Sequence, residues 1–238
     1  MRKAFVLSCL ATILATTPVK AQFTGKFELG PPGCEDKGLC TLTYDLRYKD
    51  PYGVEWLAAA KDKTDGASIP FWAQPFIGNP FDKSFIKAAV VHDHYCNRHV
   101  RPWPQTHRVF YDGLIEQGVD VGKAKLMYYA VYLAGPKWFE LIPGKNCSKA
   151  GSNCVFKIDI GGVVPAEVGK NPLLTRGVTY DEPGFIEELK EVEKLIKEHG
   201  EKIDLEFLER RAENRAPNDF FFKHRDKQPA SSGTAAIE

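Results

Sequence analysis

The stretch "KSFIKAAVVHDHYCNRH", residues 83–99, decides the fold class of this chain. Its apolar residues recur at intervals of three and four, which predicts a helix with one buried face over the whole stretch. The residues on that face are Phe85, Ala88, His92, Cys96 and His99. Two histidines and a cysteine on this face indicate an active site, a metal site or a polar patch on an ordinary helix.

Two more helices follow after short joints. The segment "VRPWPQ" ends the first helix, and we predict a second with Thr106 as its N-cap and with His107 and Phe110 on one side. A third helix is predicted over about residues 121–138. Because short joints favour antiparallel neighbours, the first two helices should form an antiparallel pair that brings His107 against His92.

The chain on either side of these helices is less regular. "CTLTYDLRY" alternates apolar and polar residues, which predicts short N-terminal strands, and "PGFIEELKEVEKLIKEH" begins a long C-terminal amphipathic helix. The predicted fold class is therefore α+β with a mainly helical core. The predicted organisation is a signal peptide at 1–21, strands and loops at 22–60, the helical core at 61–145, loop and strand at 146–182, the amphipathic helix at 183–214 and a disordered tail at 215–238.

The N-terminus is typical of an exported protein. Arg2 and Lys3 precede a short apolar run that ends in small residues before Gln22, as in a signal peptide. We therefore expect a periplasmic or secreted protein. No later apolar run reaches membrane-spanning length, and a formal net charge of +1 gives no indication of nucleic-acid binding.

Export permits disulfide bonds, and five of the six cysteines lie beyond the predicted cleavage site. The economical pairs are Cys34–Cys40 and Cys147–Cys154, each of which closes a loop that contains a glycine. Cys96, in the first helix, is then left over. The sequence alone leaves this connectivity open.

His92 and Asp93 are the first candidates for chemistry. A histidine on an apolar face can act as general base toward a water molecule, although a core histidine beside a surface charge would give the same pattern. Asp93 lies about 100° around the helix, where it is better suited to binding a cation than to orienting the imidazole. The loop "TDGAS" adds Asp65 and, at Gly66, a backbone that can approach closely. Oxygen ligands of this kind suit Ca²⁺.

A soft-metal site is the second candidate. His92, Cys96 and His99 lie within about 40° on the helix face, and two nitrogens with one sulfur suit Zn²⁺ with a fourth position open to water. His107 is the alternative histidine for this set. Cys96 could equally be a buried apolar thiol. His94 lies on the opposite face, where we expect it to be exposed to solvent.

Two further features bear on partners. Aromatic residues between positions 69 and 76, together with Trp103, either line an apolar substrate groove, contact lipid or belong to the core. The charged face of the C-terminal helix is typical of a solvated surface, and the helix as a whole is a candidate for binding a protein partner.

The ordered motifs "TDGASIP", "AAVVHDHYC", "HRVFYDGLIEQGV" and "AKLMYYAVYLAGPKW" resemble the domain-of-unknown-function family 1353 of phages and bacteria. This resemblance covers about residues 64–138 and implies no particular activity. A second, weaker similarity is to secreted bacterial phospholipases A2. Those enzymes carry a D-G-[CA]-S-like calcium loop, then N-P-F, then H-D-x-x-Y-R-N on a helix, where this chain has "TDGAS", "NPF" and "HDHYCNR".

The similarity to phospholipases A2 implies a helical core and a set of site residues. It implies that His92 is a general base, that Asp93 and Asp65 are calcium ligands, and that carbonyl groups near Gly66 complete the metal shell. The expected function is then calcium-dependent hydrolysis of a lipid or another ester of the cell envelope.

Two positions depart from that pattern. Cys96 stands where a tyrosine is expected, and His107 stands in place of the acid that would orient the catalytic histidine. His107 is therefore included in the predicted catalytic site with a role that differs from that of a carboxylate. The alternatives are a non-catalytic envelope protein on the same scaffold and a zinc-dependent envelope hydrolase.

Overall fold

Three consecutive helices form the centre of the fold. The computed structural model of the protein describes residues 20–67, 74, 78–140, 164–168 and 171–227. The three helices are α1 (Ile86–Arg98), α2 (Trp103–Glu116) and α3 (Val121–Ala134). The start of α1 meets the end of α2, since the backbone N–H of Lys87 donates to the Gln117 side chain at 2.9 Å. The first two helices are therefore antiparallel, and the predicted helical core of an α+β fold is confirmed.

The described residues also contain nine short strands in three antiparallel sheets. The first sheet pairs β1 (Gln22–Thr24), β4 (Leu46–Lys49) and β5 (Glu55–Ala58) in that order. The second pairs β2 (Leu29–Gly30), β3 (Cys40–Leu42) and β6 (Lys63–Thr64). The third places β9 (Asn171–Arg176) between β7 (Lys137–Glu140) and β8 (Val164–Val168). The predicted short N-terminal strands are thus present.

The stretch "CTLTYDLRY" is divided between β3 and β4, which belong to different sheets. Leu42, Leu46 and Tyr48 are buried as the alternation predicts. Tyr44, which the alternation places with them, lies in the turn between the strands and is exposed.

The N-terminal sheets cover the side of α1 that faces away from α2. The backbone N–H of Leu57 donates to the Tyr95 hydroxyl at 3.1 Å, and the Trp56 and Tyr95 rings lie 4.7 Å apart. His94 is on this side, only 3% exposed and hydrogen-bonded to Asp62, and burial lowers its pKa. The expectation that His94 faces solvent is therefore wrong, because α1 is covered on both sides.

Local sequence explains where α1 ends and α2 begins. At the end of α1, His99 adopts a left-handed conformation with φ 57° and donates its N–H to the Tyr95 carbonyl at 2.9 Å. Helix α2 starts at Trp103 because Pro104 fits the first turn, where a missing N–H costs nothing. Thr106, predicted as the N-cap, consequently lies inside the helix and is buried.

Helix α3 ends at Ala134 rather than at the predicted residue 138. The N–H of Gly135 donates to the Val131 carbonyl at 2.8 Å, and a Cβ on Gly135 would lie 2.3 Å from that oxygen. Pro136 then lacks the N–H that would continue the helix. The chain leaves α3 at this point and enters β7.

The segment predicted as one long C-terminal helix forms two helices, α4 (Phe185–His199) and α5 (Leu205–Arg215), which are separated at Gly200. The buried stripe of α4 matches the prediction and contains Phe185, Leu189, Val192 and Ile196. Helix α4 packs on α3, where the Tyr129 hydroxyl donates to Glu188 at 2.5 Å. The apolar face is thus used inside the domain, which leaves only the charged face of α4 for a partner.

Part of the segment predicted as a disordered tail, residues 215–238, is ordered. Helix α6 (Phe220–Lys223) buries Phe221 and Phe222 in the core. The Phe222 ring lies 5.9 Å from that of Trp103 and 5.7 Å from that of Tyr132. The tail prediction failed over residues 215–227 because these two aromatic side chains supply enough apolar surface to fix a charged segment.

Of the two predicted disulfides, Cys34–Cys40 is present with a Cα–Cα distance of 5.0 Å. Cys147–Cys154 and residues 1–19, which make up most of the predicted signal peptide, lie outside the described residues. Cys96 carries a free thiol. Among the helices that the structure describes, none has both the length and the apolar character needed to cross a bilayer.

Gly113 allows α1 and α2 to approach closely. A Cβ at this position would lie 2.9 Å from the Cβ of Ala88 and 3.2 Å from the ring of Phe23. Alanine would gain up to about 1 kcal/mol of helix propensity, but overpacking against these atoms costs about 1–3 kcal/mol. We therefore expect Gly113→Ala to lower the free energy of unfolding, measured by urea denaturation, by roughly 1 kcal/mol.

Gly177→Ala is the matched control, because a Cβ on Gly177 would have no atom within 4 Å among those considered beyond its chain neighbours. It should change the free energy of unfolding by less than about 0.5 kcal/mol. Equal destabilisation by the two substitutions would show that close packing at Gly113 is not the cause.

Candidate functional site

His92 and His107 meet at the centre of the helical core. His92 is 7% exposed and His107 is fully buried. Nε2 of His92 lies 2.9 Å from Nδ1 of His107, and Nε2 of His107 lies 3.0 Å from the carbonyl oxygen of Pro136. The antiparallel helices thus bring together the two histidines that the sequence suggested, and Pro136, just beyond the end of α3, supplies a third group.

The Pro136 carbonyl fixes the positions of the protons in these two hydrogen bonds. A carbonyl oxygen only accepts hydrogen bonds, so Nε2 of His107 carries a proton and Nδ1 of neutral His107 carries a lone pair. Nε2 of His92 must then donate to that lone pair. Burial, with smaller contributions from His92 and Lys137, holds the pKa of His107 well below its usual range and keeps it neutral. Neutral His92 therefore has its lone pair on Nδ1.

This lone pair lies on the side of His92 that carries the acidic groups. Nδ1 of His92 is 3.9 Å from Oδ1 of Asp93. Both residues line a cavity of about 400 Å³, together with Thr64, Asp65 and Tyr180. An unprotonated imidazole nitrogen at the edge of a cavity is the arrangement that a general base requires.

The "TDGAS" loop is tied to α1 through Thr64. The Thr64 hydroxyl donates to Oδ2 of Asp93 at 2.6 Å and accepts the N–H of Gly66 at 3.0 Å. Gly66 has φ 83°, and a Cβ there would lie 2.4 Å from the Pro80 carbonyl oxygen, so the position requires glycine. These contacts place Asp65 and Asp93 on the same cavity.

The two carboxylates make this cavity a candidate cation site. Burial, and to a smaller extent the charge of Asp65, raise the pKa of Asp93 above its usual range, an electrostatic cost that a bound cation would offset. Ca²⁺ takes about six to eight oxygen ligands, which can include backbone carbonyls and water. Asp65, Asp93 and the backbone near Gly66 fit calcium in charge and in donor type.

His92, Cys96 and His107 form a second group of possible ligands, which overlaps the first at His92. Their ligand atoms all lie within 4.8 Å of one another, and Sγ of Cys96 is 3.4 Å from Nε2 of His92. His99 does not belong to this group, because it ends α1 and its ring packs 4.9 Å from that of Trp138. Of the two predicted zinc sets, the structure assembles the one with His107.

Sequence reasoning missed three contributors to the site, namely Thr64, Pro136 and Tyr180. Tyr180 follows β9 and lines the cavity, and its pKa is raised by burial and by nearby Cys96, Asp93 and Asp65. Thr64 could have been found as the first residue of the "TDGAS" motif. Pro136 acts through its backbone and Tyr180 lies in a segment predicted as loop, so no local pattern marks either residue.

Among the described residues, the aromatic side chain of the predicted groove belongs to the core. Trp103 is fully buried, with its ring 5.1 Å from that of Tyr132, and belongs to the core. The other aromatic residues of that prediction, between positions 69 and 76, lie outside the described residues.

Residues 40–131 match the family described as protein of unknown function (DUF1353). The matching segment is less than half of the chain. It contains His92, Asp93, Asp65, Gly66 and His107, whereas Pro136 and Tyr180 lie beyond it. The resemblance to the family noted in the sequence is thus confirmed.

Two curated relatives come from Sinorhizobium fredii (strain NBRC 101917 / NGR234). The chain is 51% identical to the uncharacterized protein y4iH over 134 residues, which cover 56% of this chain and 55% of that protein. It is 41% identical to the uncharacterized protein y4jT over 124 residues, which cover 50% and 36% respectively. The chain thus spans about half or less of the length of these relatives. No solved structure matches it, and the similarity to phospholipases A2 stays a prediction.

The two hydrogen bonds of Thr64 should be needed to hold the loop against α1. Thr64→Val would leave the Asp93 carboxylate and the Gly66 N–H without this partner, which we expect to lower the free energy of unfolding by about 1–3 kcal/mol. Thr64→Ser keeps the hydroxyl and should remain within about 1 kcal/mol of the unsubstituted protein. Urea denaturation measures both variants, and an equal loss in both would refute a role for the hydroxyl.

Proposed function

We propose that this protein is an exported hydrolase that cleaves an ester of a lipid or another envelope component, with His92 as general base. The observation that carries this proposal is the hydrogen-bond chain from Pro136 through His107 to His92. These hydrogen bonds leave Nδ1 of neutral His92 with a lone pair, and His92 lines a cavity that also holds two carboxylates.

In the proposed reaction, Nδ1 of His92 takes a proton from a water molecule in the cavity while the water oxygen attacks the ester carbonyl. The resulting imidazolium keeps its Nε2–H bond to Nδ1 of His107. His92 then gives the proton on Nδ1 to the departing alkoxide, which restores the base. His107 acts as a positioning residue, since it fixes the tautomer of His92 but stabilises the imidazolium less than a carboxylate would.

Asp93 and Asp65 would hold a calcium ion at this cavity, and the ion would supply positive charge to the oxyanion. The Thr64 hydroxyl donates a hydrogen bond to Oδ2 of Asp93. The Tyr180 hydroxyl remains protonated, because burial raises its pKa, and is therefore a further hydrogen-bond donor on the cavity wall.

The rim of the cavity favours an ester that carries an apolar chain. Leu39 and Val178 line the cavity, and they are 50% and 52% exposed. Large apolar side chains so exposed at a cavity mouth suit an apolar ligand better than a fully polar one. Lys63 on the same wall adds a positive charge near the path that a lipid headgroup would take.

The proposal is tested by fatty-acid release from vesicles of mixed phospholipids in the presence of calcium. Removal of the base in His92→Gln should lower the rate by about 100-fold or more. Chelation of calcium should abolish release, because the oxyanion would lose its counter-charge. Unchanged rates in His92→Gln and in chelator would refute the mechanism.

The matched control is His99→Asn, which removes a histidine from the same helix without touching the cavity. Asparagine tolerates the left-handed conformation that residue 99 adopts, so this variant should fold and keep its activity. If the unsubstituted protein released no fatty acid under these conditions, the alternative of a non-catalytic envelope protein would be favoured.

A further inference from the structure

Two positions that depart from the phospholipase A2 pattern lie together in the structure. Cys96 replaces the expected tyrosine, and its Sγ is 3.4 Å from Nε2 of His92. His107 replaces the expected acid, and its Nδ1 is 2.9 Å from the same nitrogen. The two departures therefore place one sulfur and two imidazole nitrogens around a single point.

We propose that His92, Cys96 and His107 form a zinc site, and that zinc bound there removes the base of the proposed reaction. The site itself stands on the geometry of the three side chains. Only the inhibition of hydrolysis rests on the proposed function.

The distances are close to those of a tetrahedral zinc centre. Zn–N distances of about 2.0–2.1 Å and a Zn–S distance of about 2.3 Å place neighbouring ligand atoms about 3.3–3.6 Å apart. The observed separations are 2.9 Å between the two nitrogens and 3.4 Å from the sulfur to Nε2 of His92. The nitrogens would need to separate by only roughly 0.4 Å to admit the ion.

The surroundings of His107 suit a metal ligand. A metal-bound histidine usually donates its other N–H to a carbonyl or carboxylate, and His107 already donates Nε2–H to Pro136. His107 therefore presents the lone pair of Nδ1 to the centre of the group with or without a metal. The fourth zinc position can be filled by water, because His92, Cys96 and Pro136 all line the cavity.

Zinc binding requires two proton movements and no oxidant. The Cys96 thiol releases its proton to solvent and binds as a thiolate. His92 loses the proton on Nε2 in order to bind zinc there and, in the neutral state, carries it on Nδ1 instead. That N–H would face Oδ1 of Asp93, now 3.9 Å away, so the carboxylate would also balance part of the added positive charge.

The two states of His92 exclude each other. As a base, His92 has its lone pair on Nδ1 and donates Nε2–H to His107. As a zinc ligand, it binds through Nε2 and has a proton on Nδ1, so it can no longer accept a proton from water. Because thiolate and imidazole ligands favour zinc while oxygen ligands favour calcium, the two ions would occupy different parts of the site and have opposite effects.

The structure offers one other candidate group among the described residues, Cys34, Glu35 and Cys40. Its two sulfurs are joined in a disulfide, so they are not available as thiolate ligands in the oxidised protein. In the group His92, Cys96 and His107, the cysteine carries a free thiol and can bind zinc as a thiolate.

The site is tested by calorimetric titration of the full-length, chelator-treated protein with zinc chloride. We expect the affinity for zinc to be at least about tenfold lower in Cys96→Ser and unchanged in His99→Asn. Cobalt in place of zinc should give a thiolate charge-transfer absorption that Cys96→Ser abolishes. Zinc bound elsewhere in the chain would remain in Cys96→Ser, so equal binding by this variant and the unsubstituted protein would overturn the proposal.

The movement of the His92 proton from Nε2 to Nδ1 can be followed without a substrate. For neutral His92, imidazole nitrogen NMR should show the proton on Nε2 in the metal-free protein and on Nδ1 after zinc is added. An unchanged Nδ1 signal would overturn the exclusion between the two states. This measurement stays decisive even if the protein releases no fatty acid from vesicles, an outcome that would count against the proposed function alone.

If the protein does hydrolyse the phospholipids of the vesicles, zinc should lower the rate of fatty-acid release by the unsubstituted protein. It should have much less effect on the rate of Cys96→Ser. The comparison is the ratio of the rates with and without zinc within each variant. A rate that rises with zinc would show that the ion serves catalysis, which would overturn the inhibitory role.

Discussion

The hydrogen bond from His107 to the Pro136 carbonyl is the constraint on which the site depends. A buried polar group is usually hydrogen-bonded, and a carbonyl offers only an acceptor. This acceptor therefore sets the tautomer of His107, and His107 in turn sets that of His92. The hydrogen bonds from His92 through His107 to Pro136 therefore all run in one direction, and neutral His92 keeps its lone pair on Nδ1.

The packing of the helices makes this chain possible. Gly113 removes the Cβ that would hold α1 and α2 apart, and the two histidines can then approach to 2.9 Å. Gly135 ends α3 beside them and turns the chain so that the next carbonyl meets His107. The geometry of the site is therefore a product of glycines in the scaffold as much as of the histidines themselves.

The parts of the structure that follow a local period were predictable. The helical spacing identified α1 to α3, and the short joints placed His107 opposite His92. The failures have a common cause in long-range packing: His94 is buried because sheets cover a second face of α1, and Phe221 and Phe222 order a charged tail by entering a distant core. Tyr180 lies beyond β9 and lines the cavity, but it is too far along the chain from the histidine motif for a local pattern to identify it.

The group that accepts the hydrogen bond from His107 is a backbone carbonyl, so this contact does not depend on the identity of a side chain. Any residue at position 136 retains a carbonyl oxygen, so what must be inherited is the path of the chain after α3, rather than a side chain. Pro136 also lies just beyond residue 131, where the DUF1353 segment ends. The family match and the site therefore have different boundaries, and comparing side chains among relatives would not detect the carbonyl group that orients His107.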